Sequence, residues 1–398
     1  MKRFFYLLIS LISSLSAQEV AYVVNNLGDS ISVIDVATRE VIQTIPVGVA
    51  PYDLAFSPDG SIAYITDSGA AFIIVIETKT RSFVQTIPVG SVPLEAIFSP
   101  DGSIAYVTNR SSANITQIDV ATSTVTNTIT VGSQPWGGVF SSDGSTAYIA
   151  NLNSISIIDV ATKTVIGTIT ATGRFINPRL SPDGSLIYVP MSTSSLVGVI
   201  DIATSSLIAT IPVGSSVESL SFSPDGSIIY VANFGTDNVS VIDPTTNTVI
   251  QTIPVGDVAR RVAFSADGSV AYVTNTLDNN VSVIDTATNT VIFTIGVGSQ
   301  PVGVAFSPVF SGFFAQSGSD KFFTETEYFN RVQWPEVPGA RRYIVYRDAA
   351  LSQVAAETIS TQFVDHNRTK GRVYSYYITI IGISGFQSFI GSISITTK

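Results

Sequence analysis

Apolar and polar residues alternate along this chain in short runs rich in β-branched side chains, the period-two pattern of β-strands. Four successive runs, PYDLAFS (51–57), SIAYIT (61–66), FIIVIE (72–77) and SFVQTIPVG (82–90), are parted by turn-forming residues. A Ser-Pro-Asp-Gly tetrapeptide at 57–60, 99–102, 181–184 and 223–226 puts Gly where a tight hairpin requires positive φ. A second joint, Ile-Asp-Val-Ala-Thr or a near variant, starts at 34, 118, 158, 200, 242 and 284. Its Asp can accept from nearby backbone N–H groups.

The four-run unit repeats. AYVV at 21 returns as AYIT at 63, AYVT at 105, AYIA at 147, IYVP at 187, IYVA at 229 and AYVT at 271, at spacings of 42, 42, 42, 40, 42 and 42 residues. Four antiparallel strands per unit of this length predict a propeller blade. The chain begins in phase with a second strand (Val20 to Asn25), and the last copy of a first strand is Pro301 to Ser307. The expected fold class is therefore all-β: a seven-bladed propeller closed by a composite blade from both chain ends, plus a small C-terminal β-sandwich. Joining ends about 280 residues apart costs about 5 kcal/mol. Burial of Val302, Val304 and Phe306, at about 1.5–3 kcal/mol each, offsets that.

On these repeats the chain resembles the YVTN-repeat β-propeller family over about residues 19–308. The resemblance implies seven blades around a central channel. It also implies an exported or surface binding protein, with nucleic-acid binding or enzymatic members in the minority.

Beyond Pro308 the repeat stops and Phe, Tyr and Arg become frequent. Residues 309–320 read as a linker or a first frayed strand. From 321 to 398, Trp334, the run Tyr343 to Asp348, Phe363 to Asp365 and the run Tyr374 to Ile378 resemble a fibronectin type III domain. In that fold a core Trp sits on the second strand and a Tyr opens the sixth, positions matched here by Trp334 and Tyr374.

Composition narrows the function. With 20 basic against 30 acidic residues the net charge is −10, which disfavours general nucleic-acid affinity. Residues 1–17 have a basic start (Lys2, Arg3), an apolar stretch from Phe4 to Ile12 and small residues before Gln18, the order of a secretory signal cut after Ala17. An exported protein, periplasmic or at the cell surface, is expected, with no membrane span in its mature form. There is no Cys, and the one His, His366, falls in the tail on a turn. The ring thus lacks the ligands for copper, haem or zinc and the means for a Ser-His-Asp triad. No phosphate-binding glycine loop occurs in context. The expectation is no cofactor, no metal and no catalytic residue.

Thirteen of the 30 acids sit in the two turn columns, among them Asp59 and Asp35, and have a structural explanation. Recognition must lie where the blades differ. Four residues before the Phe column stand Tyr52, Leu94, Trp136, Ile176, Glu218, Arg260 and Val302, and one further on Asp53, Glu95, Gly137, Asn177, Ser219, Arg261 and Gly303. Tyr52, Asp53, Glu95, Trp136, Asn177, Glu218, Arg260 and Arg261 are the candidate rim of the channel mouth, with Arg110, Arg179, Met191 and Phe234 as additions. Acid on one arc, base on another and aromatics between suit a protein, peptide or polar ligand at the envelope. The leading expectation is a non-catalytic binding scaffold. The alternatives are a propeller enzyme, lactonase-like or quinoprotein-like, and a single-stranded nucleic-acid binder using Trp136 beside Arg260 and Arg261. Asn114, Asn238, Asn280 and Asn367 open Asn-x-Ser/Thr sites that matter only in a glycosylating pathway.

Overall fold

The computed structural model describes residues 19–170, 172–309, 314–321, 326–347, 351–366, 368–369, 372–382 and 387–396. The expected leader at 1–17 and Asn367 lie outside them. Two compact units are present, Glu19–Pro308 and the remainder from Val309.

The first unit is a ring of seven four-stranded antiparallel sheets, each running first strand to fourth. Blade 1 is composite: Pro301–Phe306 pairs with Val20–Asn25, followed by Ser30–Asp35 and Glu40–Pro46. Blades 2 to 7 have first strands Pro51–Phe56, Pro93–Phe98, Gly137–Phe140, Arg179–Leu180, Val217–Phe222 and Ala259–Phe264. All seven first strands neighbour one another around the channel. The Ser-Pro-Asp-Gly joints are hairpins with Gly60 at φ 66° and Gly184 at 73°. In each, the Asp holds the turn: Asp59 Oδ1 accepts from the Ser57 hydroxyl at 2.6 Å and the Ser61 N–H at 3.0 Å.

The repeated Tyr binds blade to blade. Tyr22 meets Phe56 of the next blade at 5.1 Å between ring centres, and the contact recurs through Tyr64–Phe98, Tyr106–Phe140, Tyr188–Phe222 and Tyr230–Phe264 to Tyr272–Phe306, which closes the ring. Each aromatic pair adds about 0.5–1.5 kcal/mol to its burial. Blade 5 has Leu180 in place of the Phe and is the irregular blade. Its first strand is two residues long, preceded by an isolated Phe175–Met191 bridge. The cause lies one blade back. The second and third strands of blade 4 are joined by three residues, 151–153, where the other blades use four. The chain entering blade 5 closes onto that shortened loop, with Phe175 N–H donating to the Asn151 carbonyl at 3.3 Å.

The second unit is a β-sandwich. Phe314–Lys321, Thr326–Gln333 and Gln362–Asp365 form one sheet; Val354–Thr358, Ala340–Tyr346, Val373–Gly382 and Gln387–Thr396 form the other. Most of the expected 309–320 linker is thus a strand. Trp334, Val332, Tyr343, Val345, Tyr376 and Ile378 share the core between the sheets. Asp365 is buried there and takes two bonds from Arg347, at 2.9 and 3.3 Å, and one from the Tyr376 hydroxyl at 2.8 Å. His366, directly after the strand Gln362–Asp365, is exposed.

Candidate functional site in the central channel

The site is made by a repeated irregularity. In blades 2, 3 and 7 the ladder between first and second strands skips two residues of the first strand, between Pro51 and Leu54, Pro93 and Ala96, and Ala259 and Val262, where blades 1 and 6 skip one. A bulge of this kind interrupts the alternation of the strand and re-aims its side chains. Its residues are Tyr52–Asp53, Leu94–Glu95 and Arg260–Arg261. Each bulge is held by a threonine of the second strand: Asp53 N–H donates to Thr66 Oγ1 at 2.9 Å, Glu95 N–H to Thr108 Oγ1 at 3.2 Å and Arg261 N–H to Thr274 Oγ1 at 3.0 Å. These are the three blades whose repeat reads Ala-Tyr-x-Thr, and the three with a charged residue in the second column. That correlation was present in the sequence and carries the location of the charges.

The charges do not stand as separate acidic and basic arcs. They pair from blade to blade. Arg261 Nη2 meets Asp53 Oδ2 at 2.8 Å, with Arg261 6% and Asp53 7% exposed. Arg179, from the irregular blade 5, meets Glu95 Oε1 at 3.1 Å with both terminal nitrogens. Glu95 Oε2 also accepts the Gly138 N–H of the next blade at 2.8 Å. Arg260 lies 3.5 Å from Glu218 Oε1, donates to the Tyr52 hydroxyl at 2.9 Å and sits 5.1 Å over the Tyr52 ring. Asn177 is buried and spends its Nδ2 on the Glu218 carbonyl at 2.9 Å. Trp136 packs with Leu94, Ile176 and Tyr52. Asp53, Glu95, Asn177 and Arg261 are therefore buried groups and not an open rim.

Burial pushes the Asp53 carboxyl up to about 6, against the lowering pull of Arg261. Burial also pulls the Arg261 guanidinium down, but Asp53, Glu95, Tyr52 and Glu218 together outweigh it and hold it above its ordinary value. Burial, then Glu218, raises the Tyr52 phenol.

Two cavities flank this layer. One, of about 520 Å³, runs within the channel from Asp53, Glu95, Arg179 and Arg261 to Phe56, Phe98 and Pro100 beside the hairpins. The other, of about 550 Å³, is lined by Trp136, Arg174, Glu218, Arg260 and Phe234 with the hydroxyls of Ser192, Thr193, Ser195, Ser215 and Ser216. They share no lining residue: Glu218 and Arg260 face one, their chain neighbours Ser219 and Arg261 the other. Arg110 lies over the Trp136 ring, 4.7 Å from its centre, and Met191 is buried in the core of blade 5. Arg174 and the serines of the second cavity lie outside the two variable columns. The one short period, 40 residues, marks the blade 4 loop on which the Arg174 segment rests.

Residues 212–296 match the model of the lactonase family of seven-bladed β-propellers. No curated protein matches the chain. Among solved structures, hydrazine synthase of Kuenenia stuttgartiensis is 22% identical with a TM-score of 0.58, covering 64% of this chain and 88% of that one. A protein of unknown function from Desulfotomaculum acetoxidans is 17% identical with a TM-score of 0.65, over 72% of this chain and 98% of that one. A protein from Bacteroides fragilis assigned as a 6-phosphogluconolactonase is 16% identical with a TM-score of 0.63, over 73% of this chain and 98% of its own. At these identities the structures establish the propeller fold.

The lactonase match overturns the expectation of a non-catalytic scaffold in favour of the enzyme alternative. That expectation rests on the family resemblance, the expected export and the lack of His and Cys in the ring, and the last does not exclude hydrolysis. Opening an ester requires a base for water and a positive group for the oxyanion, and a carboxylate with a guanidinium meets both needs.

Proposed function

We propose that the propeller is a hydrolase of the lactonase kind, opening a small cyclic ester in the central channel. The observation that carries this reading is the family match over 212–296, the stretch that supplies Glu218, Arg260 and Arg261 to the ionic layer. In this reading Asp53, with its carboxyl near 6, is ionised at neutral pH and takes a proton from water at its carboxylate oxygen. Arg179, 35% exposed at its side chain and facing the same cavity, stabilises the oxyanion that forms on the ester carbonyl as the hydroxide adds; its collapse breaks the ring C–O bond, and the departing alkoxide takes back the proton held by Asp53.

Initial rates of acid release from δ-gluconolactone and γ-butyrolactone, measured by pH-stat against the spontaneous rate, test it. The expected result is catalysed opening that rises with pH through a midpoint near 6. Asp53→Asn, assayed well below its melting temperature, loses about 10²-fold or more in kcat/KM. Rates equal to the spontaneous ones for every lactone rule the reading out.

The finer assignments belong to the same proposal. The seven Tyr positions support the YVTN-repeat reading. The three-plus-four-stranded sandwich, buried Trp334 and the Thr369 N–H donated to Tyr374 Oη at 3.0 Å support a fibronectin-like tail, acting as spacer or second binding surface. The leader composition of residues 1–17 supports export and a polar ligand met in the periplasm or at the cell surface.

A further inference from the structure

We propose that the pocket over Trp136 is a binding site for a small oxyanion, a phosphate or carboxylate group on a polar ligand. Two guanidiniums line it. Arg174 and Arg260 line the pocket, while Arg110 and Arg174 lie over the Trp136 indole at 4.7 and 5.0 Å from its centre. One carboxylate stands against them, Glu218, and Arg260 already engages it at 3.5 Å. Among the described residues neither Arg110 nor Arg174 has a carboxylate within ion-pair distance.

Arg174 is thus a pocket-lining cation with no carboxylate partner among the described residues, in a chain whose net charge is −10. An oxyanion in the pocket supplies that partner, and guanidiniums meet such groups in a two-point geometry that fixes orientation. The unfilled hydrogen-bonding capacity points the same way. Of the lining side chains, the buried polar atoms without a partner are Trp136 Nε1, Arg174 Nε and Ser192 Oγ. Two can only donate and the third can donate, so the complement is a ligand rich in acceptors. Trp136, 9% exposed and packed on Leu94 and Ile176, is a rigid platform for it. The pocket shares no lining residue with the channel cavity, so the proposal does not rest on the hydrolase reading and the two fail separately.

The test is a tryptophan fluorescence titration of the full chain with inorganic phosphate, sodium gluconate and neutral glucose at constant ionic strength. The chain has two Trp residues, and Trp136→Phe, which leaves Trp334, assigns the signal. A saturable change with phosphate or gluconate is expected, none with glucose, none in Trp136→Phe, and at least tenfold weaker binding in Arg174→Ala. Phosphate alone identifies a phosphoryl group, gluconate alone a carboxylate, and both together a site for either. Where Arg174→Ala does not fold, Arg174→Lys is read instead, with the same tenfold weakening expected. No saturable change with either anion overturns the proposal. So does an equal response to glucose, a response kept in Trp136→Phe, or undiminished affinity in a folded Arg174 variant.

Discussion

Asp53 and Arg261 are 208 residues apart in the chain and 2.8 Å apart in the fold. Removing one partner of so buried a pair leaves an uncompensated charge, a cost of about 3–5 kcal/mol. Asp53→Asn is therefore expected to lower the melting temperature sharply, and adding Arg261→Met to recover part of the loss, as read by a double-mutant cycle. Glu357→Ala, which breaks the half-exposed pair with Arg342, is expected to cost under about 1 kcal/mol. Space is as specific as charge in this column. A Cβ on Gly137 would lie 2.2 Å from Glu95 Oε2 and 2.9 Å from Asn177 Oδ1. Gly137→Ala should thus push Glu95 off the Gly138 N–H and destabilise the ring by about 1–3 kcal/mol, measurable by denaturant unfolding. The types Asp, Glu, Arg and Gly in the column were legible from the repeat; which met which was not, because contact across a channel has no trace in local spacing.

The strand and its bulge are the next scale. Thr66, Thr108 and Thr274 each fill a position where blade 1 has Val24, and Val24 is tolerated because it pairs with Gly303 in the ladder. In the threonine blades that ladder pair is absent and the hydroxyl takes its place. Thr66→Val keeps the shape but strands the buried Asp53 N–H, so a loss of about 1–3 kcal/mol is expected for it and for the two equivalents. Their circular-dichroism melts, compared with that of Val24→Ala, check it. The hairpin acids set the response to acid. The Ser141 hydroxyl, with the Ser145 N–H and hydroxyl, holds Asp143 down to about 2, and Ser181 and Ser185 do the same for Asp183. A carboxyl held below its unfolded value stabilises the fold above that value, and the contribution is lost as pH falls toward 2. Melting temperature should therefore fall between pH 4 and 2, less steeply in Asp183→Asn. Turn chemistry of this kind lies within five residues of sequence, which is why it was readable at once. The bulge is not legible in the sequence, since a two-residue irregularity leaves the apolar alternation of the run nearly unchanged.

For the whole molecule the decisive step is closure. Pro301–Phe306 completes blade 1 against Val20–Asn25, with Ala21 opposite Phe306 and Val23 opposite Val304. It also sets Phe306 against Tyr272 at 4.8 Å. Deleting 299–308 removes a first strand and the last aromatic contact, and a lower, broader melt is expected; an unchanged melting temperature refutes closure by this strand. The sequence by itself determined most strands of the ring, their turns, the seven-fold count and the composite blade, because each follows from period-two alternation, hairpin residues and the phase of a repeat. Tertiary structure alone decided that the candidate charges neutralise one another in a buried layer, that a cavity lies on each side of it, and that Arg174 belongs to the second. Those facts depend on ring curvature and on bulges that turn neighbouring side chains into different cavities, and both arise only once seven blades have closed on one another.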